Sequence, residues 1–174
     1  MYWLKLAAVA TLLSAPALAQ EAAAPDATAS LVNAAGEPVG EASVTDSGSG
    51  VLVALEIRDM PPGQWVAVHI HETGDCAPEG GFEAAGGHFN PSDAEHGYYS
   101  DGGPHAGDMP NQNADSEGVL QAQIFNPLVR VGEGPADIAG RAILVHAMAD
   151  DYQGQPSGHA GDRLACGVIE PAAL

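Results

Sequence analysis

Lysine is all but missing from this chain. The one copy, Lys5, lies near the start, and four arginines complete a set of five cations against 23 aspartates and glutamates. With Lys5 set aside, four arginines face 23 acids, a net charge of −19. Such a surface repels phosphate backbones and anionic lipid, which excludes nucleic acid and membranes as partners. The acids are scattered and the chain is 45% hydrophobic, so a packed domain with a solvated exterior follows rather than disorder. Cysteine occurs only as Cys76 and Cys166, with no C-x-x-C pair. That excludes a disulfide-dense scaffold and a thiolate-built zinc finger. Missing too are an amphipathic helical stretch after residue 20 and the H-E-x-x-H pattern that gives a zinc hydrolase its base.

Residues 1–19 have the pattern of a secretory signal: Lys5, then apolar Leu6 to Leu13, then Ala17-Leu18-Ala19 as a small-residue cleavage site. The apolar run is too short for a membrane span. Removing it places the protein outside the cytoplasm and leaves 155 residues, enough for one domain with a real core. Residues 20–27 read as a loose arm and 28–174 as the domain. Exported thiols are normally oxidised, so one Cys76–Cys166 disulfide is the simplest pairing. Closing about 90 residues gives about 4–5 kcal/mol in the loop-entropy picture. Two cysteine metal ligands are the alternative, weakened by the absent C-x-x-C.

From Ala29 the apolar period is two. Ala29 to Val32 and Gly40 to Thr45 form a hairpin about Asn33 to Gly36, and Val51, Val53, Leu55 and Ile57 alternate with a wetter face. Asp59-Met60-Pro61-Pro62-Gly63 reads as a turn, and the strand Gln64 to His71 after it is expected to lie antiparallel to its predecessor. Further strands are expected over Gly118–Phe125, Arg141–Ala147 and Ala165–Ile169. Together these predict an all-β antiparallel sandwich or barrel of about eight short strands. Two long connections, 72–117 and 148–164, carry the polar chemistry.

What the chain has in plenty is histidine in one place. Five of seven lie between Trp65 and Asp108: His69, His71, His88, His96 and His105. His69 and His71, at i and i+2 on a strand, project from one face while Val66, Val68 and Ile70 enter the core. His146, ending the strand Ile143-Leu144-Val145-His146, is placed to supply a third nitrogen. His88, His96, His105 and Asp108 match the coordination number of a closed tetrahedral zinc site. One imidazole shared between two cations would account for the two sets lying side by side.

The fragments V-H-I-H-E, G-G-H-F-N-P, E-H-G, H-A-G-D, L-V-H-A and G-D-R-L-A-C-G-V-I, in this order, resemble the exported bacterial form of copper–zinc superoxide dismutase. The resemblance spans about 28–170. It implies an eight-stranded Greek-key barrel or flattened sandwich with two functional loops, in the periplasm, as monomer or homodimer. It implies copper on His69, His71, His88 and His146, and zinc on His88, His96, His105 and Asp108. Asp150 would link a copper histidine to a zinc histidine, and Cys76–Cys166 would be the internal disulfide. Arg163 would draw superoxide in, and His88 would serve as inner proton donor while copper alternates between two oxidation states.

Some positions depart from that pattern or stand outside it. The second loop has no lysine, so steering of superoxide should be weak and little sensitive to salt. His159 reads as a loop-surface residue or else a charge of the channel. Met148 is expected to pack under the loop rather than ligate, Glu72 to be solvated, and Trp65 and Phe125 to pack on the barrel surface or at a subunit contact. A periplasmic copper/zinc-binding module with little turnover is the rival to the enzyme. Keeping His88, His146 and Arg163 favours the enzyme.

Overall fold

Alternating apolar residues become strands between Ala27 and Pro171, separated by two long loops. A computed structural model describes residues 24–132 and 134–173; the leader expected over 1–19 and residues 20–23 of the arm lie outside these. The strands are β1 (Ala27–Asn33), β2 (Pro38–Asp46), β3 (Val51–Ile57), β4 (Trp65–Val66), β5 (Val68–His71), β6 (Gln112–Asn113), β7 (Leu120–Asn126), β8 (Ala142–His146), β9 (Arg163–Val168) and β10 (Glu170–Pro171). Among the described residues the one helical piece is a single 3-10 turn at Glu83–Ala85. No helix there is long and apolar enough to cross a membrane.

An eight-stranded antiparallel sheet runs in the order β5-β8-β9-β1-β2-β3-β7, with β10 beside β1, and β4 pairs with β6. Since β4 leads into β5 and β6 into β7, the sheet curls into a flattened Greek-key barrel. Its interior takes the inward set of the longer strands: Leu31, Val44, Val53, Ile57, Ile70 and Ile143 are fully buried. Burying one such side chain stabilises by roughly 1.5–3 kcal/mol, which makes this core the platform for everything else.

Three expectations need correction. The loose arm is already fastened at its end, because the Asp26 N–H bonds to the Val44 carbonyl at 2.9 Å and Ala27 is buried in β1. The strand expected over 64–71 breaks at Ala67, where it leaves β6 and joins β8. Most importantly, β3 and β5 do not pair. β3 lies between β2 and β7, and β5 joins β8. The segment 59–63 crosses to the other side of the barrel, tied to the chain before β7 by Met60 N–H to Gly118 O (3.1 Å) and Gly63 N–H to Asp115 O (2.7 Å). Pro61 and Pro62 have no N–H to give a hairpin ladder. Period two decides which face is buried, not which strand comes next.

Candidate metal centre

The strand β5 is buried on both faces. Val68 and Ile70 enter the barrel core, and His69 and His71 on the opposite face lie under the first loop. One edge of β5 pairs with β8, which brings His146 alongside. The other edge is covered by the loop itself. Ile70 N–H bonds to Gly107 O at 2.9 Å, Phe89 N–H to Ile70 O at 2.8 Å and Glu72 N–H to Gly87 O at 2.9 Å. A Cβ on Gly107 would collide with the Ile70 carbonyl, so only glycine lets the loop close on the strand there. This stitching sets His88 opposite His71 and Asp108 opposite His69.

Two sets of donor atoms result, each with its members within 4.8 Å of one another: His69, His71, His88 and His146, and His88, His96, His105 and Asp108. His88 belongs to both. Its ring centroid is 4.0 Å from that of His69, 5.0 Å from His71, 5.1 Å from His96 and 5.5 Å from His105.

In the first set every ring uses one nitrogen on a partner. His69 Nε2 meets Asp150 Oδ2 at 2.9 Å, His71 Nδ1 donates to Gly86 O at 2.9 Å, His88 Nδ1 meets Asp108 Oδ1 at 2.8 Å, and His146 Nδ1 makes a long 3.5 Å contact to Gly161 O. The opposite nitrogens, His69 Nδ1 and Nε2 of His71, His88 and His146, are buried with no hydrogen-bond partner among the described residues. Each partner fixes a tautomer and leaves a lone pair on the other side. One such orphan costs about 1–3 kcal/mol, and four converging on one spot fit a bound cation that accepts lone pairs. Copper and zinc both take imidazole nitrogen.

The second set contains its own anion. Asp108 Oδ1 lies 2.8 Å from His88 Nδ1, 3.0 Å from His96 Nδ1 and 3.6 Å from His105 Nδ1. Four ligands on a tetrahedral zinc sit roughly 3.3–3.6 Å apart, given bonds of about 2.0–2.2 Å; the His105 spacing matches that, and the two shorter ones are hydrogen bonds that hold the same donors together. Asp108 Oδ2 accepts the main-chain N–H of Gly97 (2.9 Å) and His105 (3.0 Å), which aims the carboxylate.

Electrostatics set His96 apart from the other shifted imidazoles, His105 included, which burial lowers. Burial pushes His69 down to about 4, His71 to about 2 and His146 to about 3, so these rings are neutral and available as ligands. Burial also opposes charge on His96, but hydrogen bonds to Asp108 and Asp150 outweigh it and raise the group to about 9. Burial raises Asp108 and Asp150, yet bonds from His88 and His96, and from His69 and His96 respectively, hold both carboxyls well below the usual range. Asp150 spans the sets, with Oδ2 on His69 and Oδ1 on His96, each within 3.0 Å.

Both sets open onto one cleft of about 860 Å³, whose walls include His71, His88, His146 and Arg163. The Arg163 fork donates to Phe82 O at 2.6 Å and Gly86 O at 2.7 Å, so its cation is held at the wall by the first loop. The carbonyl of Gly86 thus orients both Arg163 and His71. Cys76 bonds to Cys166, with Cα atoms 5.5 Å apart, which fastens the same loop to β9. His159 lies at the rim, mostly exposed, its Nδ1 2.8 Å from Asp151 Oδ2. Glu72 is exposed as expected, though its carboxylate accepts the Gly87 N–H at 3.0 Å. Trp65 and Phe125 are exposed. Met148 does not pack under the loop. It is 52% exposed and lies over Gly161, although the loop runs beside it, with Met148 N–H donating to Ala160 O at 2.9 Å.

Sequence reasoning missed Asn111, Gln155 and Tyr152. The Asn111 carboxamide accepts the Asp150 N–H and donates to the Asp150 carbonyl, both at 2.8 Å, and the Tyr152 hydroxyl accepts the Asn111 N–H at 2.7 Å. Their side chains carry no metal-ligand signature, and nothing in their spacing marks them.

Comparison with known proteins agrees with this geometry. Residues 39–169 match the copper/zinc superoxide dismutase (SODC) family. A superoxide dismutase [Cu-Zn] 2 of Aquifex aeolicus is 44% identical over 147 residues, covering 82% of this chain and 85% of the relative. The superoxide dismutase [Cu-Zn] of Caulobacter vibrioides is 41% identical over 150 residues, covering 83% and 85%. Among solved structures, a double mutant of a SOD-like protein from Bacillus subtilis superposes with a TM-score of 0.78 at 36% identity, covering 82% of this chain and 96% of its own.

Proposed function

This chain belongs to the copper/zinc superoxide dismutase family, and on that premise we propose that its two histidine sets divide the work of that enzyme between them. The reaction is dismutation: one superoxide is oxidised to dioxygen, and a second is reduced to hydrogen peroxide on taking up two protons. Copper, when bound, supplies the one-electron couple for both halves, and zinc, which has no redox chemistry, supplies charge and shape.

The residues that would hold copper are His69 through Nδ1 and His71, His88 and His146 through Nε2. Those for zinc are His88, His96 and His105 through Nδ1 and Asp108 through Oδ1. His88 presents one nitrogen to each set, so it can hold a proton at Nε2 whenever that nitrogen is not engaged, which suits it to deliver one to the reduced substrate. Asp150 orients His69 and His96 together. Arg163 offers an always-charged donor fork to an anion entering the cleft. The strands β5 and β8 and the disulfide anchor the groups around the cleft.

The disulfide and the bacterial relatives accord with an exported protein. The finer reading is cleavage after Ala19, a domain over 28–174 and a place in the periplasm. The observation that carries the functional reading is the convergence of four partnerless imidazole nitrogens beside a second donor set of three imidazoles and one carboxylate. Metal analysis with a dismutation assay on wild type and His146→Ala tests it. Wild type should load both metals and turn over, and the variant should lose copper and activity. Full loading without turnover would make this a binding module, and an undiminished variant would overturn the copper assignment.

A further inference from the structure

Gln155 stands in the second loop, outside both donor sets, yet its carboxamide grips the main chain of His96 in the first. Oε1 accepts the His96 N–H at 2.9 Å, and Nε2 donates to the His96 carbonyl at 2.9 Å. One side chain thus satisfies both main-chain groups of a residue that has no neighbouring strand. Ser100 Oγ donates to the same carbonyl at 2.6 Å and accepts from Gln155 Nε2 at 3.2 Å.

The grip is itself held in place. Asp151 Oδ1 accepts the N–H groups of Gln153 (3.0 Å) and Gly154 (2.7 Å), shaping the turn before Gln155. Gly97 meets the Tyr152 carbonyl so closely that a Cβ would collide with it, and Tyr99 N–H donates to that carbonyl at 3.0 Å. Residues 96–99 and 152–155 are therefore zipped together. Immediately after Gln155, Pro156, Ser157 and His159 line the cleft. The His96 ring meanwhile sits between Asp108 of one loop and Asp150 of the other.

We infer that Gln155 is a positioning residue for the zinc ligand His96, coupling zinc binding to the set of the cleft wall that follows it. The inference rests on His96 being a zinc ligand, as read above. Coupling of this kind is reciprocal: zinc orders the wall, and the ordered wall strengthens zinc binding.

The test uses the exported chain freed of metal, as wild type, Gln155→Ala, Gln155→Glu and His105→Ala. Each is titrated with zinc alone against a chelator, and hydrogen exchange over 150–160 is followed with and without zinc. Gln155→Ala should bind zinc about tenfold or more weakly, the loss typical of outer partners. Gln155→Glu keeps an acceptor for the His96 N–H but no donor for its carbonyl, and should fall between. Zinc should slow exchange over 150–160 in wild type and much less in Gln155→Ala. Zinc affinity within twofold of wild type, or equal protection by zinc in both, overturns the coupling. Should the alanine variant not fold, the glutamate variant makes the same comparison. If His105→Ala binds zinc like wild type, the zinc assignment itself fails, and the coupling with it.

Discussion

The set formed by His69, His71, His88 and His146 is built mainly on strands, whereas that of His88, His96, His105 and Asp108 lies within one loop. The strand-borne set has no counter-charge of its own and aims four lone pairs at one point. The loop-borne set brings Asp108, which partners its own imidazoles and shapes the loop around them. Rigidity in the first comes from the hydrogen-bonded ladder and packed core of the barrel. In the second it comes from hydrogen bonds among polar groups that could not otherwise pack. A redox ion is best held where most of its ligands stay in place as charge changes, and for His69, His71 and His146 the strands β5 and β8 supply that. A loop can instead draw part of its order from the ion it binds.

The sharpest way to break this comparison is a pair of variants. His146→Ala should abolish copper binding and lower dismutation by more than about the hundredfold that losing an outer partner can cost, while zinc content stays. His105→Ala should show the reverse metal pattern with a smaller loss of rate. Equal loss of both metals in both variants would mean that the sets do not function separately.

Next comes the disulfide. Cys76→Ser should destabilise the protein by about 2–5 kcal/mol in denaturant unfolding. The loss should appear in the loop set before the strand set, since Cys76 anchors the loop to β9. Zinc affinity unchanged in the variant would contradict that.

Asp150→Ala removes a carboxylate outside both sets that bonds to His69 of one and His96 of the other. Affinity for both metals should drop about 10–100-fold. A fall in one only, measured by competition with a chelator, would show that the link is one-sided.

Acidity should separate His96 from His69, His71 and His146 in the metal-free protein. His69, His71 and His146, held near 4, 2 and 3, stay neutral in the fold while an unfolded chain protonates them below about 6.5. Their contribution is therefore full above about 6.5 and is lost as pH falls toward those values. His96, raised to about 9, acts oppositely, its contribution full below about 6.5 and lost as pH rises through 9. Thermal unfolding across pH 4–10 should thus show a maximum near neutrality; a Tm level from 6.5 down to 4 would contradict it.

The smallest expected effect is that of salt on rate. Arg163 is the one fixed cation among the described residues of the cleft, where Glu72, Glu83 and Asp93 also face. Long-range attraction should be weak, and the rate should change little with ionic strength. A steep decline would falsify this.

Much of the site could be read before the fold was known, because imidazole and carboxylate at fixed spacings are rare and chemically specific. His69 and His71 at i and i+2, and Asp108 three after His105, announce themselves. Gln155 and Asn111 do not, since a carboxamide gains meaning only from the main chain it meets. Met148 failed for a similar reason: whether the loop covers it depends on where Gly161 passes. The expected β3–β5 pairing failed because an inward-facing period is satisfied by either neighbour.

By itself the sequence determined the chemistry and the all-β character, since ligand identity and alternation are local properties of a chain. Only the tertiary structure decided that β5 joins β8, that the first loop seals the free edge of β5, and that carboxamides of each loop hold the other. Those contacts join residues far apart along the chain, and their partners are chosen by packing and hydrogen-bond satisfaction across the whole barrel rather than by any neighbouring residue.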